Sequence, residues 1–279
     1  MELAPMDYGG ASPTADGEHV HGFAISALDG PDGPPDVRFR LVAQASSVRL
    51  PSGRDVRALT YTVRLPGPEL RVRAGELVEV TLVNRDVDEG VSIHWHGVDL
   101  RNAEDGVSGV TQDAVRPGGS YAYRFRIKEP GTYWYHSHQH SAGEVERGLY
   151  GALVVTAREP RHGVDVVALA HTIQGHALLG ASDEEQRRRV ATGTPVRLRL
   201  VNSADTVRRF ALVGTDFRVV AIDARDKPGG RLLSGETIAV PAGGRYDLVF
   251  PMPSSPVRLA VRDEDVGLVL DPGHGVVPE

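Results

Sequence analysis

The sequence predicts an all-β protein built from two tandem Greek-key β-sandwich domains, and three observations lead there. The 279 residues include 32 glycines and 19 prolines, which demands many turns and therefore short strands. From Val37 onward apolar residues recur at every second position, the period of a strand with one buried face. The pattern is also duplicated. Gly75, Val78, Leu82, Val83 and Asn84 return as Gly193, Val196, Leu200, Val201 and Asn202. Farther along, Val115, Gly118, Gly119, Tyr121 and Phe125 return as Val240, Gly243, Gly244, Tyr246 and Phe250. Both matches keep their order at offsets of about 120 residues, the mark of an internal repeat.

Residues 1–36 read as a flexible leader, rich in Gly, Pro, Asp and Ala and closing on Asp29-Gly30-Pro31-Asp32-Gly33-Pro34-Pro35. Its His19-Val20-His21 pair lacks a strand around it and reads as solvated tail rather than as an accessory metal contact. The first domain is expected over residues 37–158 and the second over 159–279, parted near Glu159-Pro160. Val78, Val80 and Leu82 alternate with Glu79 and Thr81 as one strand of the first domain. Behind the turn Pro117-Gly118-Gly119, Tyr121, Tyr123, Phe125 and Ile127 alternate with Ala122, Arg124, Arg126 and Lys128 as another. Leu149 to Val155 is apolar throughout, as a buried closing strand would be. In the second domain Ser182-Asp183-Glu184-Glu185 fits a capping box, so a short polar helix is expected over Gln186 to Val190.

Thirty-one basic against 37 acidic residues give a net charge of −6, which offers no basic field for nucleic acid or anionic lipid. No apolar run reaches the ~18 residues of a membrane span. Met1 to Gly10 lacks the basic cluster and apolar core of a secretory signal, so nothing in the chain as written is expected to export it. Cysteine is absent, which excludes disulfides and thiolate metal ligands.

Chemistry concentrates in two pairs, His94-Trp95-His96-Gly97 and His136-Ser137-His138. On a strand, residues i and i+2 project to one face, so each pair offers two imidazoles to one side. If the strands are neighbours, four neutral imidazoles converge, a set suited to copper, zinc, nickel or iron rather than magnesium or calcium. The bland alternative is a satisfied polar cluster on a sheet. In the second copy the matching positions are Leu212-Val213-Gly214-Thr215, Val261 and Asp263, so that copy is expected to be a spacer or packing partner. Trp95 is expected in the core. Trp134 shares the face of His136 and either packs or lines the approach to the site. His140 continues the i+2 series, whereas His162, His171, His176 and His274 stand alone and read as ordinary residues. Gly131, His138, His140, Glu144 and Gly151 nearly reproduce the first motif of cupin-type mononuclear metal enzymes, with one residue too many after Gly131 and no second motif.

Further motifs flank the histidines: Glu104-Asp105-Gly106, Thr111-Gln112, and Tyr133-Trp134-Tyr135-His136-Ser137-His138-Gln139-His140 with Gly148 to Val155 behind it. With them the chain, from about Val37 to Pro272, resembles the first two cupredoxin domains of a three-domain multicopper oxidase of the laccase-like group. Thr60-Tyr61 through Pro66-Gly67-Pro68 resembles the segment before the first metal strand, without the family's usual asparagine. The resemblance implies that His94 ligates a type-2 copper, and that His96, His136 and His138 ligate a type-3 pair. It implies that Asp105 orients metal-bound water and relays protons, where the plainer reading is a turn aspartate before Gly106. The family's other four cluster histidines and its type-1 copper come from a third domain with His-x-x-His-x-His and His-Cys-His stretches, and this chain contains neither.

The expected function is therefore oxidation of a phenolic or metal-ion reductant coupled to reduction of O2 to water, completed only when a third cupredoxin domain or another chain covers a half-site left open on the first domain. The isolated chain is expected to lack efficient oxidase activity. A non-catalytic copper-binding or scaffold protein is the second reading and a cupin-type enzyme the third. Family members usually work outside the cytoplasm, so the resemblance implies an extracytoplasmic location despite the missing signal.

Overall fold

In each half of the chain two sheets face one another across an apolar core. The structure is a computed structural model describing residues 31–159, 163–273 and 277–278. The His19-Val20-His21 pair, Pro160, His162, His274 and most of the expected leader lie outside the described residues.

The first sandwich holds β1 (Val37–Arg49), β2 (Asp55–Tyr61), β3 (Leu70–Arg73), β4 (Leu77–Asn84), β5 (His94–His96), β6 (Ser120–Arg126), β7 (Gly131–His136) and β8 (Tyr150–Thr156). One sheet runs β2-β1-β4-β6 and the other β3-β8-β7-β5. The inward residues are those the alternation selects: Val78, Val80, Leu82, Tyr123 and Phe125 from one sheet meet Trp95, Tyr135 and Leu153 from the other. Fully burying such a side chain contributes ~1.5–3 kcal/mol, so the face of each strand is decided by its pattern.

The second sandwich holds β9 (Val164–Ile173), β10 (His176–Leu179), β11 (Glu185–Arg189), β12 (Pro195–Asn202), β13 (Arg208–Val213), β14 (Asp216–Ile222), β15 (Arg225–Asp226), β16 (Leu232–Ser234), β17 (Thr237–Val240), β18 (Arg245–Pro251), β19 (Val257–Val261) and β20 (Gly267–Asp271). Its sheets run β10-β9-β12-β18-β14-β15, with β16 beside β14, and β11-β20-β19-β13-β17. The duplication is chemical as well as topological. Just as β4 pairs parallel to β1 and antiparallel to β6, β12 pairs parallel to β9 and antiparallel to β18. The repeated asparagines are buried in equivalent turns: Asn84 Nδ2 donates to the carbonyls of Val87 and Val115, and Asn202 Nδ2 to those of Thr206 and Val240.

One expectation fails. Gln186 to Val190 forms no helix, because residues 185–189 are strand β11, paired parallel to β20 with Gln186 opposite Leu268. Ser182 Oγ accepts the Glu184 amide at 3.2 Å, closing a local turn instead of capping a helix. The segment lacks an apolar helical stripe, and cross-strand pairs of Arg187 with Asp271 and Glu185 with Arg258 hold it to the sheet. The α-helix that does form, α1 (Ser141–Glu146), falls in the turn after the second histidine pair.

Between β2 and the following segment, Tyr61 bridges Arg64 across a two-residue turn. Its central residues, Thr62 and Val63, have φ of 58° and 57°, a left-handed conformation that suits Asn-Gly and strains β-branched side chains.

The sandwiches meet along the outer face of β7 and β8. Leu50, Leu65, Trp134, Tyr150 and Ala152 form one apolar cluster with Leu169, Ile173, Leu178 and Val201. Beside it runs a buried charge network: Asp247 holds Arg197 at 2.5 Å and Arg199 at 3.1 Å, Arg199 reaches Asp165 at 2.6 Å, and Thr132 of β7 donates to Asp247 at 2.5 Å. Among the described residues no helix is long and apolar enough to cross a membrane.

Candidate metal centre

β5 is three residues long and lies at a sheet edge, hydrogen-bonded only to β7. The register sets His94 opposite His136, Trp95 opposite Tyr135 and His96 opposite Trp134. Alternation then separates the functions: Trp95 and Tyr135 turn into the core, while His94, His96, Trp134 and His136 share the other face. His138 follows in the turn beyond β7, its amide donating to Ser92 Oγ at 3.3 Å, and the Ser92 amide donates to Ser137 Oγ at 3.3 Å. Two serines thus lace together the segments that carry the histidine pairs.

All four rings come together. Centroids lie 5.3 Å apart for His94 and His136, 5.3 Å for His94 and His138, 5.6 Å for His96 and His136 and 6.0 Å for His136 and His138. His94, His96 and His136 each offer a ring nitrogen to a set whose members lie within 4.8 Å of one another. His138 adjoins that set without belonging to it. Among the described residues this is the one such group, and neither His140 nor Glu144 is in it. Glu144 instead lies buried behind the histidine turn, with Oε2 accepting the His140 amide at 3.4 Å, and burial pushes its carboxyl up. The arrangement a cupin-type site would need, His138, His140 and Glu144 around one metal, is not formed.

The remaining ring nitrogens are occupied in a way that prepares the others. His94 Nδ1 lies 2.9 Å from the Asp105 carbonyl and 3.2 Å from its carboxylate, and His136 Nδ1 lies 2.8 Å from the Ser137 carbonyl. Carbonyl acceptors call for Nδ1–H, which leaves each Nε2 as an acceptor, that of His136 lying 3.4 Å from His96 Nδ1. Burial, aided by the Arg245 charge, pushes His96 down to about 4, and burial with the neighbouring imidazoles pushes His136 down to about 3. At His94 burial opposes protonation, but the Asp105 carboxylate and carbonyl outweigh it and raise the ring above its ordinary value. His94 in turn holds the Asp105 carboxyl below its usual range. Asp105 reaches His94 because Gly106 is glycine: a Cβ there would lie 1.7 Å from the Ile93 carbonyl oxygen.

Trp134 both packs and lines the site. Its ring stacks on His96 at 4.7 Å and on His136 at 4.4 Å, while its Nε1 donates to the Gly243 carbonyl at 3.3 Å. The histidine face is not open to solvent throughout, as the sequence led us to expect. It forms one wall of a cavity of about 700 Å³ whose opposite wall is the second sandwich, including His171, Ser203, Arg208 and Gly243. His171, read as ordinary, is buried, with Nδ1 3.2 Å from Ser203 Oγ and its ring against Tyr150. Gly243 was visible in the sequence only as a repeated turn glycine. Nothing local could have announced that it faces His96.

A half-buried set of converging imidazoles fits copper, and fits magnesium or calcium badly. Comparison with known proteins agrees. The family model described as "Multicopper oxidase" matches residues 42–160. Copper resistance protein A homolog of Pseudomonas syringae pv. tomato is 43% identical over 130 residues, 47% of this chain and 21% of the relative. Multicopper oxidase MmcO of Mycobacterium tuberculosis is 37% identical over 155 residues, 54% of this chain and 30% of the relative. These matches span well under half the length of the curated relatives. Among solved structures, Lac15 from a marine microbial metagenome is 31% identical with a TM-score of 0.70, covering 86% of this chain and 67% of that one. A blue copper oxidase from Nitrosomonas europaea has a TM-score of 0.75 at 24% identity, covering 84% of this chain and 85% of that one, a likeness of fold.

Proposed function

The chain belongs to the multicopper oxidase family, with a metal site of histidines and no cysteine, and from that premise we propose that it supplies one half of a copper centre that reduces O2. In this reading His94 holds the type-2 copper and His96, His136 and His138 the type-3 pair. Bound copper supplies the redox capacity through which a reductant's electrons reach O2. Asp105 keeps the His94 ring in the tautomer that exposes Nε2 and moves protons between solvent and the cavity. Trp134 fixes the planes of His96 and His136, and the apolar cavity wall limits water. The other half of the centre, and the port for electrons from a phenolic or metal-ion reductant, come from a further cupredoxin domain or another chain. Action outside the cytoplasm belongs to the same proposal and is tested by cell fractionation.

The observation that carries this reading is the convergence of three ring nitrogens within 4.8 Å, two of the rings locked by carbonyl acceptors at Nδ1. Copper titration followed by metal analysis and electron paramagnetic resonance tests it. The wild-type chain is expected to retain copper, to show no intense blue absorption and to turn over a phenolic dye poorly. Absence of bound copper, or fast turnover with a blue chromophore, would sink the proposal.

A further inference from the structure

The second sandwich carries no metal ligand in the centre described, yet it reaches the centre. In the turn between β17 and β18, a Cβ on Gly243 would lie 2.9 Å from both Cε1 and Nε2 of His96. Two residues on, Arg245 is 5% exposed and its side chain crosses into the first sandwich. Its Nε donates to the Thr132 carbonyl at 3.2 Å and its Nη1 to the Gly243 carbonyl at 3.0 Å. A Cβ on Gly97, the residue after His96, would fall 2.2 Å from Arg245 Nη2, so only glycine lets the guanidinium lie there. A guanidinium does not give up its proton in a protein, so this charge is permanent. Asp247 is already shared by Arg197 and Arg199, which leaves Asp223, 3.1 Å from Nη1 and with a half-exposed side chain, as the carboxylate that pairs with Arg245 directly.

We propose that Arg245 makes the second sandwich part of the metal centre by biasing the copper position at His96 toward monovalent over divalent copper. The inference rests on the copper reading above and adds the preferred charge state of the guest. A fixed positive charge repels a cation in proportion to the cation's own charge, so Cu(II) is penalised twice as strongly as Cu(I). Partial burial keeps solvent from screening the difference. Asp223 offsets part of the field from the solvent side.

The test measures Cu(I) affinity anaerobically by competition with bathocuproine disulfonate and Cu(II) affinity by competition with nitrilotriacetate, on the full chain. Arg245→Gln is expected to raise the ratio of Cu(II) to Cu(I) affinity about tenfold, and Arg245→Lys to hold it near the wild-type value. Asp223→Asn, at a half-exposed position, is expected to lower the ratio about two- to threefold. A purely structural role for Arg245 would weaken both affinities together and leave the ratio alone. If Arg245→Gln does not fold, the sign of the Asp223→Asn change decides. Copper bound by the wild type with a ratio unchanged in the folded variants would overturn this inference and spare the copper reading, whereas a wild-type chain that binds neither ion would overturn both.

Discussion

Strand β5 in the first sandwich and strand β13 in the second occupy corresponding places in the repeat, and they have opposite fates. β5 lies at a sheet edge, and its His94 and His96 stand on the sheet face turned away from the first core, where they line the cavity. β13 has β19 on one side and β17 on the other, and its Phe210 and Leu212 are almost wholly buried in the second core. Where His94 faces His136, the matching Leu212 faces Leu259. A polar ring at that interior position would have to be desolvated without a partner, at a cost of several kcal/mol. The repeated frame, including its buried asparagines and turn glycines, survives in both copies. Ligand chemistry stands where a sheet face turns away from the core toward a cavity.

The comparison can be broken most severely in the two cores. Trp95→Ala and Phe210→Ala are each expected to cost ~3–5 kcal/mol in chemical denaturation, since both side chains are buried and aromatic. Only the first should also abolish copper binding, because Trp95 anchors the strand that carries His94 and His96. Equal loss of copper affinity in Phe210→Ala would show that the sandwiches do not divide labour in this way.

Next in size is removal of a ligand. His136→Ala is expected to weaken copper binding more than about 100-fold by competition titration, and Asp105→Asn only about tenfold, because the carboxylate charge is lost while the Asp105 carbonyl still holds the His94 ring. Val261→His, the corresponding addition to the second sandwich, should create no copper affinity at all.

A smaller effect common to both halves is set by protons. His136 and His171 are buried one in each sandwich, with values pushed down to about 3 and about 4. The unfolded chain therefore binds protons at these positions below about pH 6.5 while the folded chain does not. Metal-free stability should fall as pH drops from about 6.5 toward 4, at a slope of up to ~1.4 kcal/mol per pH unit for each histidine. His96, also pushed down to about 4, contributes in the same sense, so His171→Gln should remove about a third of that slope in denaturation curves measured across the range, and an unchanged slope would contradict the assignment.

The smallest change sharpens the contrast by repairing a strained position outside the shared frame. Replacing Thr62-Val63 by Asn-Gly suits the left-handed turn that both residues now adopt, and should raise stability by ~1–2 kcal/mol without altering copper affinity. A loss of thermal stability would mean that the hydrogen bond of Thr62 Oγ1 with the Val42 amide outweighs the strain.

Local pattern was enough for much of this protein. Alternation marked the buried faces of β4 and β6, an unbroken apolar run marked β8, spacing put His94 beside His96, and recurrence exposed the duplication, all of them signals carried by the sequence pattern itself. The segment 185–189 was misread for the converse reason: its capping residues are a local signal, but its strand state is imposed by β20, about 80 residues away. What tertiary structure alone decided is the surrounding of the centre. The stacking of Trp134 against His96 and His136, the hold of Asp105 on His94, the cavity wall from the second sandwich and the Arg245 guanidinium beside Gly97 all arise from register and domain packing, which bring together groups that share no local pattern.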